Sequence, residues 1–255
     1  MSKFVDKLKQ VSTGGRPMGF RAAAMAPSKP RMLLVAVVPQ GDTEHLADIV
    51  AGADAGLLSM AKPGSGAKAL VQMSQAVPDI SWGGWLKEIG KEGAGKVGGD
   101  FIVFPAEKAA LAMLDDEERG KILEVEPWLE PGLLKAIDSL PVDAVLIAAE
   151  DNQFLTWHHL MLFQRCVNIL SKPLLVLVPP EVTSGELAAL WEAGVRGVVV
   201  KAGVEGKIAG IRQMLDKLPL PSRDKRNKAG PLLPRMGGET GVVSEEEEEE
   251  EEEEP

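Results

Sequence analysis

Between residues 31 and 218 the chain repeats one alternation eight times, a short apolar run followed by a segment with helical spacing. The runs fall at 32–38, 56–60, 79–83, 101–104, 121–126, 144–149, 174–178 and 197–201. Most are continuously apolar and rich in Val, Leu and Ile, the pattern of parallel strands covered on both faces. The helical segments fall at 42–51, 65–76, 88–97, 106–119, 131–140, 155–170, 184–193 and 205–218. Asp42, Ser65 and Thr183 or Ser184 stand where an N-cap is wanted, because a short side-chain oxygen satisfies a free N–H of the first turn. Glycines interrupt 88–97, and 106–119 has room for additional structure.

The joints between the units repeat as well. Ala53-Asp54, Gly99-Asp100, Val142-Asp143 and Val195-Arg196 lead into the second, fourth, sixth and eighth runs. Lys29-Pro30, Val77-Pro78 and Lys172-Pro173 lead into three of the others. Two kinds of joint in alternation are what a barrel of βαβα quarters leaves behind. The expected fold is α/β, a small closed (β/α)8 barrel rather than an open doubly wound sheet. Any site is expected at the carboxyl ends of the strands.

Four segments follow from this reading. Residues 1–30 hold a short helix (2–11) and a Gly/Pro/Ala-rich lead-in that covers the barrel floor, and 31–218 form the barrel. Residues 219–243 are a basic Pro/Gly-rich linker, and 244–255 are an acidic tail. Ten consecutive glutamates at 245–254 repel one another, so this run is expected to be disordered.

That run also explains the charge. The formal net charge is −10, and the run alone carries ten negative charges, so the remainder is neutral. With no basic surplus, 4% aromatic residues and no Tyr, nothing suggests a nucleic-acid partner. The N-terminus alternates charged and apolar residues, unlike a secretory signal, and no apolar run nears the ~18 residues that span a bilayer. Cys166 is the single cysteine, which leaves no internal disulfide and fits a reducing compartment. The expectation is a cytoplasmic protein without a membrane partner.

The passage Leu187-Ala-Ala-Leu-Trp-Glu-Ala-Gly-Val-Arg-Gly-Val-Val-Val-Lys201 resembles the seventh-helix-to-eighth-strand region of phosphate-binding barrels. That group includes indole-glycerol-phosphate synthase and the flavin-dependent nitronate monooxygenases. Ala51-Gly-Ala-Asp-Ala-Gly-Leu-Leu58 echoes the same phrase. The resemblance implies the barrel fold and makes flavin mononucleotide a candidate cofactor. It also implies backbone N–H donors for phosphate in the turns after strands seven and eight. Ala202-Gly203-Val204-Glu205-Gly206 suits that role. Pro179-Pro180-Glu181-Val182 departs from it, since prolines lack the donor and a glutamate repels phosphate.

Several residues carry candidate chemistry. Lys201 ends the eighth run and belongs at the rim, as an anion-binding or Schiff-base lysine or as one half of an ion pair. In Lys121-Ile-Leu-Glu-Val-Glu126, residues 122, 124 and 126 share a face. If Leu123 and Val125 face the helices, Glu124 and Glu126 point into the barrel, where a carboxylate is costly unless paired or used. Glu150 and Asp151 follow the sixth run, as acid, base or Mg2+ ligands or as caps of the next helix. Lys62, Gly64 and Gly66 belong to the phrase Lys62-Pro-Gly-Ser-Gly-Ala-Lys68, which follows the second run and opens its helix, where an N-terminus attracts anions, although full phosphate-loop spacing is lacking.

The remaining candidates point to structure. Ser59 and Lys62 straddle a strand end and form no catalytic dyad. Adjacent positions on a helix point ~100° apart, so His158 and His159 make no metal clamp. Cys166, mid-helix among apolar residues, is expected to pack. Trp82 and Trp85 either line a pocket or fill space. No metal site is expected. The leading expectation is a lyase, isomerase or flavin-linked enzyme acting on a small anionic, phosphorylated or related metabolite. Lys201 and Lys62 would hold the anion with Gly64, Gly66 and Gly203, and Glu126, Glu150 or both would move the proton. The competing expectation is a non-catalytic scaffold whose acidic tail contacts a basic partner. Convergence of Glu126, Glu150 and Lys201 in a water-filled mouth favours the first; Glu126 pointing outward, with apolar side chains plugging the mouth, favours the second.

Overall fold

Eight parallel strands close on themselves in chain order: β1 (Leu33–Val38), β2 (Ala55–Met60), β3 (Ser81–Leu86), β4 (Phe101–Pro105), β5 (Gly120–Val125), β6 (Ala144–Ile147), β7 (Leu174–Val178) and β8 (Gly197–Lys201). The computed structural model describes residues 2–12, 30–39, 45–61, 64, 66–90, 97–148, 154–203 and 206–218. These belong to the first of two contact units, residues 1–220. β1 pairs with β2 on one side and β8 on the other, which closes the (β/α)8 barrel. The linker at 219–243 and the tail at 244–255 lie outside the described residues.

Successive side chains of a strand point to opposite faces, and here the two faces feed two cores. On β1, Leu33, Val35 and Val37 join the interior cluster, while Leu34, Ala36 and Val38 join the outer layer under the helices. Both faces are therefore apolar, and the strands stand in the sequence as unbroken apolar runs.

The helices are α1 (Lys3–Ser12), α2 (Leu46–Ile49), α3 (Ala67–Ala76), α4 (Pro131–Ala136), α5 (Trp157–Ile169), α6 (Ser184–Ala193) and α7 (Lys207–Asp216). α6 is well delimited. The Thr183 hydroxyl accepts from the Glu186 N–H while the Glu186 carboxylate accepts from the Thr183 N–H, and Gly194 ends the helix at φ +100°. Two expected helices are absent where they are described. Residues 88–90 are extended, and Ile89 makes a parallel bridge with Ala109. The segment after β4 holds only a 3-10 turn at Leu111–Asp115. Gly90 weakens the first of these, since a glycine costs about 1 kcal/mol in a helix; residues 91–96 lie outside the described residues.

α5 carries the same capping box with a histidine in the acceptor position. The Thr156 N–H donates to Nδ1 of His159 at 3.1 Å, and the Thr156 hydroxyl accepts from the His159 N–H. A protonated ring cannot accept that bond. Burial, reinforced by neighbouring His158, holds the His159 pKa below its ordinary value. With the folded pKa depressed, the unfolded chain binds the proton first. This contribution to stability is complete above the ordinary value of about 6.5 and is lost as the pH falls through the folded value. Urea midpoints at pH 7.5 and 5.5 should therefore drop further for the wild type than for His159→Glu, whose carboxylate keeps the box. Equal drops would remove His159 from this role.

The floor of the barrel is closed by α1. Phe4 and Leu8 are fully buried in the interior cluster, and the Phe4 ring stacks on Phe101 with centroids 4.4 Å apart. Asp100 holds the start of this helix, accepting from the Ser2 hydroxyl (2.8 Å), the Lys3 N–H (2.8 Å) and the Phe4 N–H (2.9 Å). Lys9 pairs with Asp143 at 3.2 Å. The stopper is thus the helix itself; the lead-in at 13–29, expected to serve there, lies outside the described residues.

The alternating joints have a backbone counterpart. Asp54, Asp100, Asp143 and Arg196 each donate their N–H to a carbonyl of the preceding strand: Leu34, Trp82, Lys121 and Leu174. The side chains of Asp54 and Asp143 return the bond by accepting from the N–H of Leu34 (2.9 Å) and Lys121 (3.0 Å). Asp100 spends its carboxylate on α1 instead. Asp54 also pairs with Arg212 on α7 at 3.0 Å. The repeated phrase is therefore a strand-to-strand clamp at the closed end.

Candidate functional site

At the opposite end, where the strands finish, the barrel opens into a cavity of about 480 Å³. Its polar lining comes from four strands: Ser59 of β2, Trp85 of β3 with Lys87 just beyond it, Glu124 of β5 and Lys201 of β8. Val37 and Leu177 supply apolar walls. Among the described residues, two lysines and one carboxylate line this cavity.

Strand alternation decides which glutamate enters. Leu123 and Val125 belong to the outer core and Ile122 to the inner one, so Glu124 points inward. Its Oε2 accepts from the indole N–H of Trp85 at 2.6 Å, a bond that reaches from β5 across the lumen to β3. Trp85 is 5% exposed, so its N–H would be stranded without that carboxylate. Lys87 Nζ lies 5.4 Å from the centre of the Trp85 ring. Indole, carboxylate and ammonium thus form one connected group along a wall of the mouth. Lys121 points the other way; it is buried, and its Nζ donates to the Leu114 carbonyl at 3.2 Å.

The remaining candidates fall in several places. Lys201 ends β8 and lines the cavity. Glu126 is exposed, the first residue beyond β5, and is not part of the cavity lining. Glu150, Asp151 and Lys62 lie outside the described residues. Gly64 has a φ of +88°, and Gly66 stands at the N-cap of α3. A Cβ at Gly66 would fall 2.6 Å from Met60 Cγ, so this glycine serves close packing of α3 on the outer face of β2. Gly203 follows the mouth residue Ala202, is exposed and has open space around it.

Trp82 packs outward and donates its indole N–H to the Val77 carbonyl at 3.0 Å. Cys166 is fully buried on α5, and burial pushes its thiol pKa up, so it stays protonated and inert near neutral pH. His159 lines a second, largely apolar hollow of about 550 Å³ between α5 and α6, outside the barrel. Among the described residues no group of His, Cys, Asp and Glu could hold a metal ion. No helix there is long and apolar enough to cross a membrane.

Sequence reasoning missed Lys87, set Ser59 aside and ranked Glu124 behind Glu126. Lys87 was hidden because β3 runs to Leu86, three residues beyond the expected end. The signal that could have found it is Trp82-Gly-Gly-Trp85-Leu86, whose tryptophans are three apart and so belong to opposite faces of an extended chain.

No protein-family model matches the chain, and no curated protein matches it. Solved structures do. Thiamine phosphate pyrophosphorylase from Pyrococcus furiosus is similar at 13% identity and TM-score 0.53, over 74% of this chain and 95% of that one. A mutant tryptophan synthase alpha-subunit from the same hyperthermophile is similar at 16% identity and TM-score 0.51, over 73% and 97%. At these identities the likeness shows the fold: this chain shares the TIM-barrel architecture of both.

Proposed function

We propose that this barrel is a small-molecule enzyme of the lyase, isomerase or flavin-linked type that holds an anionic ligand in its mouth. The observation that carries the reading is the open cavity at the strand ends, in which Lys87, Lys201 and Glu124 come together. Glu126 lies outside the cavity, as the scaffold reading expects, but the described residues leave the mouth open rather than plugged by apolar side chains. In this proposal Lys201 and Lys87 fix the anion, and Gly203 lets the ligand approach the chain after β8. The Trp85 N–H fixes the Glu124 carboxylate in place, and Glu124 exchanges the proton. Glu126, the first residue beyond β5, is assigned to the rim, where a ligand longer than the cavity would meet it.

A thermal-shift screen on the full chain tests this. The panel holds flavin mononucleotide, sugar phosphates, pyridoxal phosphate, nucleotides and Mg2+. A ligand at a hundred times its Kd stabilises the fold by about 2.7 kcal/mol, a rise of roughly 5–10 °C for a barrel of this size. The reading predicts an anionic hit that disappears in Lys87→Ala/Lys201→Ala. A shift that survives the double substitution, or no shift from any anion, would overturn it.

A further inference from the structure

From the 3-10 turn after β4 round to α5, the outer wall of the barrel is unlike the rest. Nine large apolar side chains are exposed among the described residues, and eight of them lie between 106 and 168. The six most exposed of these are Trp157 (82%), Leu111 (79%), Met161 (67%), Phe154 (66%), Leu133 (56%) and Trp128 (55%). The three aromatic residues together expose roughly 300–500 Å²; Phe154 and Trp157 border the hollow between α5 and α6, and Trp128 precedes α4. The sector is continuous in the fold. α4 packs against α5, and Arg165 Nη2 donates to the Leu129 carbonyl at 2.6 Å, tying α5 to the loop that carries Trp128.

Charge follows the same boundary. Within 106–168 the exposed carboxylates are Glu107, Asp115, Glu117, Glu118, Glu126 and Glu130, against the exposed lysines Lys108 and Lys135. Over the rest of the described chain, exposed Asp and Glu number seven and exposed Lys and Arg also seven. The acidic surplus and the apolar exposure therefore fall on the same consecutive elements of the barrel wall, while the rest of the described surface is balanced.

We infer that this face is a docking surface for a basic amphipathic segment of another protein, with apolar side chains against the aromatics and Lys or Arg against the rim. Charge decides between the possible occupants. A second copy of the chain would set acidic rim on acidic rim, and an anionic lipid surface would be repelled. A cationic segment is attracted by the rim and buries the apolar centre, the helix-in-groove mode of recognition. The inference does not depend on the mouth being a catalytic site.

The test uses the full chain and a fluorescein-labelled 18-residue peptide with leucine on one helical face and lysine on the other. A second peptide carries glutamate in place of lysine. Fluorescence anisotropy in 150 mM salt is expected to show binding of the Leu/Lys peptide only. Trp128→Ser/Trp157→Ser, which changes exposed side chains, is expected to weaken that binding at least tenfold with an unchanged circular dichroism spectrum. Equal binding by this variant would assign the peptide to the glutamate run at 245–254 and overturn the inference, as would no binding by the wild type. Equal binding of the Leu/Glu peptide would overturn the charge argument. Sedimentation velocity is expected to show a monomer; a dimer that the variant dissolves would mean that a second copy covers the face.

Discussion

Replacing Phe4 with alanine is expected to remove about 3–5 kcal/mol of folding stability, the usual range for truncating a buried phenylalanine. The ring is fully buried at the centre of the floor, and its neighbours are poorly placed to close the gap. Phe101 stacks on it, and α1 is held by the three bonds to Asp100, so the helix cannot sink inward without breaking them. The loss combines the transfer of a large apolar ring to water with an unfilled hole in the interior core. Urea unfolding measures it, with Lys7→Ala on the exposed side of the same helix as a control expected within about 0.5 kcal/mol of the wild type. A loss below about 1 kcal/mol for Phe4→Ala would mean that α1 is not the barrel's stopper.

The second large effect is expected from the smallest change. Gly83 faces the lumen, and a Cβ there would lie 2.6–2.7 Å from the Phe101 ring atoms Cε2, Cδ2 and Cζ. No real Cβ tolerates such contacts, and the Phe101 ring is pinned from below by Phe4. Gly83→Ala is therefore expected to cost about 1–3 kcal/mol through overpacking. The two sites share one ring, so their effects should not add. With Phe4 shortened, Phe101 gains room to move, and Gly83→Ala should become cheaper by about 0.5 kcal/mol or more in that background. Strict additivity across the cycle would show that Phe101 does not transmit the strain.

The strands were legible for the reason the barrel exists. A strand covered on both faces must be apolar at every position, and β7 and β8 were found at their expected bounds, Leu174–Val178 and Gly197–Lys201. β3 was displaced because its core contains Gly83 and Gly84, which look like a turn. Here they make room for other residues, Phe101 inside and Met60 outside. Local sequence cannot reveal that a glycine's missing side chain is filled from a distant strand.

The mouth was half legible. Lys201 stood out as a charge ending a run of valines. The choice between Glu124 and Glu126 was not visible, because both share the inward parity and only the end of β5 at Val125 separates them. Their difference lies in the partner: Trp85, two strands away, reaches Glu124. The glycines Gly64 and Gly66 were attractive by composition alone, yet the tight spacing around Gly66 belongs to helix packing. The surface sector around Trp128 and Trp157 left no sequence signal of its own, since exposure depends on how distant elements pack.

The stopper also sets a timetable. The residues that start α1 bond to Asp100, 96–98 positions downstream, and Lys9 reaches 134 positions ahead to Asp143. On the ribosome, at about 5–20 residues per second, the helix therefore leaves roughly 5–20 s before Asp100, its anchor, has been made. Phe4, Val5 and Leu8 spend that interval without the core they are built for, on a helix too short to hold its shape alone. A nascent barrel is in this sense open at both ends until its middle has been synthesised, and this helix, made well before its anchor, is among the last elements to find its place.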